Sequence, residues 1–336
     1  MLIDRVEGVA QLKVVFVGTP EFADASLKAL LASRHEVIAV VTQPDRPAGR
    51  GMRICCTPVK QTAQAHCIPV MQPERIADEE VVDKLRRLSP DAIVVVAYGQ
   101  KIPVSILEVP KYGCINVHGS LLPEYRGAAP IHRAIMDGKD YTGVTTMYMD
   151  EGWDTGDVIL SKTVRIHDSM TAGELHDVLA EEGAKLLVKT LDLIEEGRAP
   201  RIPQDHSKAT YAPKICKDDC CIDWSMSAEN IRNIIRGLNP FPGAVSALGN
   251  IRLKLWEARL KPDLPEDYDR SSECGQIVML PERPGDGLTV RCGLGYLEIT
   301  KLQPENRKCM SAYDFTLGYS VLVGQKFCSP EQVLRR

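Results

Sequence analysis

Short, strongly apolar runs that alternate with helical periodicity constrain this chain more than any other feature. Leu12–Val17 is the first such run, and it ends at Gly18-Thr19-Pro20. A helical pattern follows through Leu27, Leu30 and Leu31, and Glu36–Thr42 reads as a second strand ended by Gln43-Pro44-Asp45. Another short strand is expected near Ile68–Met71, a helix near Glu79–Leu88, and a strongly apolar strand at Ala92–Ala97. Cys114–Val117 and Gly143–Met149 read as further strands. Apolar strands separated by helices are the grammar of an α/β fold, a parallel sheet covered by helices.

The stretch Thr171–Glu196 places Leu175, Val178, Leu179, Leu186, Leu187, Leu191 and Ile194 at helical spacing. Thr171 can cap this helix, with Glu174 three residues on completing a capping box. Gly197 stops it, and Ala199–Pro213 has the Pro, Gln and Lys content of a linker. Beyond Lys214 the pattern changes. After one helix (Ser227–Leu238) come short strands broken by Gly and Pro: Ala244–Leu248, Ile251–Ala258, Gly275–Met279, Gly287–Cys292 and Tyr296–Leu302. Such strands suggest a small β-barrel. A chain of 336 residues exceeds one typical core. The expected division is therefore a first domain at 1–197, a linker at 198–213 and a second domain at 214–336.

Composition excludes several classes. The chain is 44% hydrophobic and 26% charged, as an ordinary globular protein is. No stretch reaches the length of apolar residues that a membrane helix needs, and Met1–Gln11 carries Asp4 and Glu7 with no signal-peptide core. The protein is expected in the cytosol. Its 11 cysteines are odd in number and scattered, unlike a secreted disulfide framework. The cluster Cys216, Cys220 and Cys221 lacks the second ligand pair of a zinc site, and no metal is expected. From Lys208 onward, 18 Lys and Arg stand against 16 Asp and Glu. That excess is too slight to argue nucleic-acid binding alone.

Motif spacing narrows the chemistry. A nicotinamide-binding fingerprint needs three glycines around a pyrophosphate, whereas Gly18 stands alone in Val17-Gly18-Thr19-Pro20-Glu21. No P-loop occurs either. Asn116 and His118 are two residues apart at the end of an apolar strand, so both side chains point to one face. In doubly wound sheets ligands gather at such strand ends. The pair is either a site or a satisfied couple tying down a loop. The acidic segment Met149-Asp150-Glu151-Gly152-Trp153-Asp154-Thr155-Gly156-Asp157 is either a solvated turn or part of that site. Its oxygen spacing is wrong for an EF-hand.

These segments together resemble the folate-dependent formyltransferase family. The similarity rests on Asn116-Val117-His118 with Ser120-Leu121-Leu122-Pro123, then Arg126-Gly127-Ala128-Ala129-Pro130, then Asp154-Thr155-Gly156-Asp157. It extends to Gly18-Thr19-Pro20-Glu21-Phe22, to Thr42–Gly51, to Val94–Gly99, and past the linker to Asp223-Trp224 and Asn239-Pro240-Phe241-Pro242-Gly243. The resemblance implies a Rossmann-like, mostly parallel sheet with helices on both faces, joined to a C-terminal OB-like β-barrel that holds tRNA. It implies that Asn116, His118 and Asp154 are catalytic. Ser120, Leu121, Leu122 and Pro123 would line the folate site, with Val96, Tyr98 and Gly99 contributing at the neighbouring strand end. Arg46, Arg50 and Arg53 would meet the acceptor end of the RNA. The implied co-substrate is 10-formyltetrahydrofolate, the implied acceptor is methionyl initiator tRNA, and a monomer is expected. Trp153 departs from the leucine that the family pattern places beside the aspartate.

The residue types suit that chemistry. A formyl group on a folate nitrogen is an amide-like electrophile, and attack by a neutral amine creates a tetrahedral oxyanion. An uncharged Asn donor and a protonated His form a preorganised site for it. A carboxylate beside His118 favours the protonated imidazole and can relay the amine's proton. Ser120 lacks the Gly-x-Ser-x-Gly elbow of a serine hydrolase. The rivals are formylation of another amine, hydrolysis of the formyl-folate, and a non-catalytic RNA- or folate-binding module.

Overall fold

Val14, Val15, Phe16 and Val17 are all fully buried, so the strand they form must be covered on both faces. In the computed structural model, which describes residues 11–48, 53–262 and 272–328, that strand lies within a seven-stranded sheet. Its strands are β1 (Lys13–Gly18), β2 (Glu36–Val41), β3 (Val70–Met71), β4 (Ala92–Val96), β5 (Cys114–His118), β6 (Tyr141–Tyr148) and β7 (Val158–Arg165). Their order is β7-β6-β5-β4-β1-β2-β3. β1 to β5 pair in parallel, β6 runs antiparallel to β5, and β7 antiparallel to β6. The chain winds outward from β1 through β2 in one direction and through β4 and β5 in the other. The parallel sheet with covering helices expected from the apolar runs is what the chain forms.

Local chemistry places the covering helices. Glu21–Leu31 buries Phe22, Ala23, Leu27 and Leu30, and an i,i+4 pair between Asp24 and Lys28 supports it. Pro58–Ala65, a helix not anticipated above, starts at Thr57, whose hydroxyl accepts from Lys60 N, with Pro58 preset in the first turn. Glu79–Leu88 buries Val81, Val82 and Leu85 against a core that includes Val15, Val17, Ile93 and Val95. The long helix Ala172–Glu195 begins with the anticipated capping box. Thr171 N donates to Glu174 Oε2 at 2.8 Å, and Glu174 N donates back to Thr171 Oγ1 at 3.3 Å. Farther along, Gly183 lets this helix approach β5 and β6. A Cβ there would sit 3.1 Å from both Val117 and Val144.

β7 was not anticipated. Its Ser161, Lys162 and Thr163 are exposed, and it is the last strand at its end of the sheet. A polar edge strand carries no apolar run for the eye to catch.

Among the described residues the chain divides into two units. One draws on Met1–Gly127, Tyr141–Arg165 and His176–Ala212, the other on Ala128–Asp140, Ile166–Leu175 and Pro213–Arg336. In the second unit a curled antiparallel half-barrel runs in the order Ile277–Met279, Leu288–Arg291, Tyr296–Pro304, Ile251–Lys261, Ala244–Leu248 and Phe327–Cys328. The register of the long strand Ile251–Lys261 shifts at Glu257, a bulge that bends it. Helix Ala228–Gly237, capped by the Ser227 hydroxyl on Asn230 N, packs Ile231, Ile234 and Ile235 into the same core as Leu253, Leu255, Val290 and Ile299. Arg133 and Asp219 form a bidentate ion pair at 2.7 and 2.8 Å. No disulfide joins the cysteines. Cys220 is buried and its thiol donates to Cys216 O, while that of Cys221 donates to Lys217 O. Among the described residues, no helix is long and apolar enough to cross a membrane.

Candidate active site

β5 delivers two polar side chains from a strand buried at every residue. Asn116 and His118 share a face, as their spacing requires, and both lie at the carboxyl end of the strand, only 9% and 6% exposed. The acidic segment after β6 brings Asp154 to the same place. Asn116 Nδ2 donates to Asp154 Oδ1 at 3.3 Å, and His118 Nδ1 lies 3.7 Å from the same oxygen. Asp154 Oδ2 accepts from the backbone N–H of Gly127 at 2.8 Å. An amide, an imidazole and a carboxylate thus meet although 38 residues separate Asn116 from Asp154.

The backbone dictates which imidazole nitrogen faces the carboxylate. His118 Nε2 lies 2.9 Å from the carbonyl oxygen of Tyr125. A carbonyl can only accept, so Nε2 carries a proton and Nδ1 is left toward Asp154. Cys114 begins the same strand but offers no nucleophile. Burial pushes its thiol up to about 12.

Glycine explains how the acidic segment turns so tightly. A Cβ on Gly156 would lie 1.8 Å from Tyr148 O, and one on Gly152 would lie 1.9 Å from Thr155 Oγ1. Asp150 holds the turn by accepting from Gly152 N and Thr155 Oγ1. Asp154 itself has φ +54°, a left-handed conformation rare for a residue with a side chain. Trp153 beside it is 60% exposed.

The expected folate-site residues divide between wall and scaffold. Ser120 is fully buried, and its hydroxyl donates to Glu124 O at 2.6 Å while its carbonyl accepts from Thr145 Oγ1 at 2.7 Å. Leu122 N donates to the same threonine hydroxyl, and the bond to Pro123 is cis. Leu121 packs on Gly143, where a Cβ would come within 2.5 Å of it. At the end of β4, Val96 and Tyr98 are buried, whereas Ala97 and Gly99 are exposed and both have positive φ. Tyr98 turns its ring into the core, and burial pushes its phenol up to about 12.

The arginine segment is a hairpin. Arg46–Ala48 pairs with Arg53–Cys55, placing Arg46 opposite Cys55 and Ala48 opposite Arg53. Arg46 is exposed and pairs with exposed Glu74 at 3.0 Å. Arg50 lies in 49–52, outside the described residues. The root of the hairpin is firmly tied. Asp45 accepts from Lys60 and Gln72, bonds that hold its carboxyl below the ordinary range. Gln43 donates to Tyr98 O at 3.1 Å, linking the hairpin's root to the end of β4.

Sequence reasoning assigned no role to Gln204, which sits in the expected linker. It is buried, and its Nε2 donates to Asp154 O at 2.9 Å and Gly156 O at 2.7 Å. Fifty residues of separation leave no local signal of that contact.

The family model described as formyl transferase matches residues 12–191, and that of the formyl transferase C-terminal domain matches 214–320. A methionyl-tRNA formyltransferase of Symbiobacterium thermophilum is 50% identical over 320 residues, covering 95% of this chain and 96% of that protein. One from Halothermothrix orenii is 49% identical, covering 94% and 99%. Among solved structures, the N-formyltransferase of Helicobacter canadensis, in complex with folinic acid and dTDP-3-aminofucose, matches with a TM-score of 0.62 at 18% identity. That match covers 88% of this chain and 100% of that one. HypX of Aquifex aeolicus in complex with tetrahydrofolic acid matches with a TM-score of 0.61 at 17% identity, covering 91% of this chain and 47% of that one. At such identities the structural matches speak for the fold, whereas the family models and the half-identical relatives span both parts of the chain. The chain belongs to the formyl transferase family.

Proposed function

We propose that this protein transfers the formyl group of 10-formyltetrahydrofolate to the free α-amino group of methionyl initiator tRNA. The observation that carries the reading is the meeting of Asn116, His118 and Asp154 at one strand end, in a chain half-identical over nearly its whole length to proteins named methionyl-tRNA formyltransferase. The half-barrel unit, matched by the C-terminal family model, supports an RNA substrate. Solved proteins of the same fold hold tetrahydrofolic or folinic acid, which supports a folate donor.

The geometry supports the following chemistry. The amine nitrogen attacks the formyl carbon, and a new carbon–nitrogen bond forms as the carbonyl oxygen gains charge. Asn116 Nδ2 and protonated His118 Nδ1 are the donors for that oxygen, already oriented by Asp154 and Tyr125. Asp154 takes the amine's proton, directly or through water, and passes it to the folate nitrogen as the bond from carbon to that nitrogen breaks. An uncharged amide and an imidazole beside a carboxylate fit a neutral acyl donor, and no covalent enzyme intermediate is required. Arg46, Arg50 and Arg53 supply permanently charged planar donors toward RNA phosphates. The enzyme acts as a cytosolic monomer.

The test is incubation with formyl-labelled 10-formyltetrahydrofolate and methionyl initiator tRNA. The label is expected on the methionyl amine. Label appearing only as free formate, or transfer to an amino sugar in preference to the tRNA, would overturn the assignment.

A further inference from the structure

Gln204 is a buried amide whose polar atoms are all committed. Its Oε1 accepts from Arg126 Nε at 3.1 Å and Nη2 at 2.6 Å, and its Nε2 donates to the carbonyls of Asp154 and Gly156. The orientation is forced, because a guanidinium only donates and a carbonyl only accepts. Arg126 is 2% exposed and also places Nη2 3.1 Å from His206 Nδ1, where the histidine must accept. Its own backbone is tied to the same stretch. Arg126 N donates to Thr210 O at 2.9 Å, and Arg126–Gly127 pairs in parallel with Tyr211–Ala212.

The neighbours of Arg126 hold the other members of the site. Tyr125 O receives His118 Nε2, and Gly127 N–H holds Asp154 Oδ2. Gly127 has φ +112°, and a Cβ there would meet Ala212 O at 3.0 Å. Three consecutive residues therefore orient the imidazole, anchor the amide behind the aspartate's backbone, and hold the carboxylate. Asp154 needs such an anchor because its left-handed backbone persists only where the surroundings over-determine it.

We propose that Gln204, backed by Arg126, is a positioning residue for the transfer step: it clamps the carbonyls of Asp154 and Gly156 so that the carboxylate stays against Asn116 and His118. The inference rests on those three residues being the catalytic set. Gln204 touches no substrate and moves no proton.

Two variants test it by single-turnover formyl transfer from 10-formyltetrahydrofolate to methionyl initiator tRNA. Gln204→Glu keeps the acceptor for Arg126 and gains an ion pair with it, but turns a carboxylate oxygen on the two carbonyls. Gln204→Leu removes both functions. The transfer rate is expected to fall on the order of 100-fold in each, the effect of a small displacement of a reacting group. The KM for both substrates is expected to stay within about threefold, as when only the transition state is affected. Gln204→Glu separates positioning from folding, since it keeps the contact to Arg126 and its rate per folded molecule is expected to fall far more than its loss of stability accounts for. A wild-type rate in Gln204→Glu, or a loss proportional to the unfolded fraction in both variants, overturns the proposal. Asn116→Ala runs beside them. If it alone is slow, positioning fails and the catalytic assignment stands; if it transfers at the wild-type rate, both fall.

Discussion

The strand-end site and the arginine hairpin belong to the same unit, yet their side chains are held in opposite ways. Asp154 is anchored at three atoms by Asn116, Gly127 and Gln204, and His118 is fixed by a backbone carbonyl. Arg46 projects into solvent and makes its ion pair with an equally exposed Glu74. The hairpin is tied at its root through Asp45, Lys60 and Gln72. Donors aimed at a charge that develops on one atom must be in place before it appears. Donors for a polyanion act through charge and tolerate motion. The proposed catalytic groups and the proposed RNA-contacting groups should therefore respond differently to substitution.

The sharpest separation is expected at Asp154. Asp154→Asn retains an oxygen for the Gly127 N–H but cannot stabilise the imidazolium or take a proton. Transfer is expected to slow on the order of 100- to 10,000-fold, with melting temperature nearly unchanged, in a stopped assay paired with calorimetry. A variant with near-normal turnover would place the carboxylate on the structural side of the comparison.

Gly156→Ala should come next. Its methyl group would collide with the Tyr148 carbonyl, so the segment carrying Asp154 must shift. A loss of about 1–3 kcal/mol is expected, the usual cost of overpacking, together with loss of transfer. Urea unfolding and the same rate assay would check it, and an unchanged rate would show that the turn does not position Asp154.

A smaller effect is expected at the Arg133–Asp219 pair of the second unit. Arg133 holds the Asp219 carboxyl well below the usual range. A carboxylate with a lowered folded-state value contributes stability above its unfolded value, about 3.9, and loses it as pH falls from there toward the folded value. Asp219→Asn is expected to cost about 1 kcal/mol at neutral pH, since the pair is partly solvated. That difference should shrink as pH falls below 4. Denaturant titrations at several pH values would show it; a gap that persists in acid would mean that something other than the ion pair is lost.

The smallest stability effect is expected at Arg46→Ala, within roughly 0.5 kcal/mol as for an exposed substitution. Its signature should be a higher KM for tRNA and a shallower dependence on salt, with kcat unchanged. A lower kcat with normal KM would move this arginine into the chemistry.

How legible these features were depends on what holds them. β1 and β4 were readable because burial on both faces demands an unbroken apolar run. The start of the helix Ala172–Glu195 was readable because Thr171 and Glu174 complete a local hydrogen-bond circuit. Asn116 and His118 were placed on one face by strand spacing alone. Their joining to Asp154 needed the family resemblance, since the contact spans 38 residues. β7 was invisible because a solvated edge has no apolar signature. Gln204 was invisible for a different reason. It lies in a Pro- and Lys-containing stretch whose composition reads as a tether, and its partners Arg126, Asp154 and Gly156 converge only through the fold.

The most direct measurement is a double-mutant cycle on single-turnover transfer with Asn116→Ala, Asp154→Asn and the pair combined. Groups that serve one developing oxyanion act as a unit, so the double variant should be little slower than the worse single variant. Rate losses that multiply across the two substitutions would show that the amide and the carboxylate act at separate places, and would contradict a shared reaction centre at the end of β5.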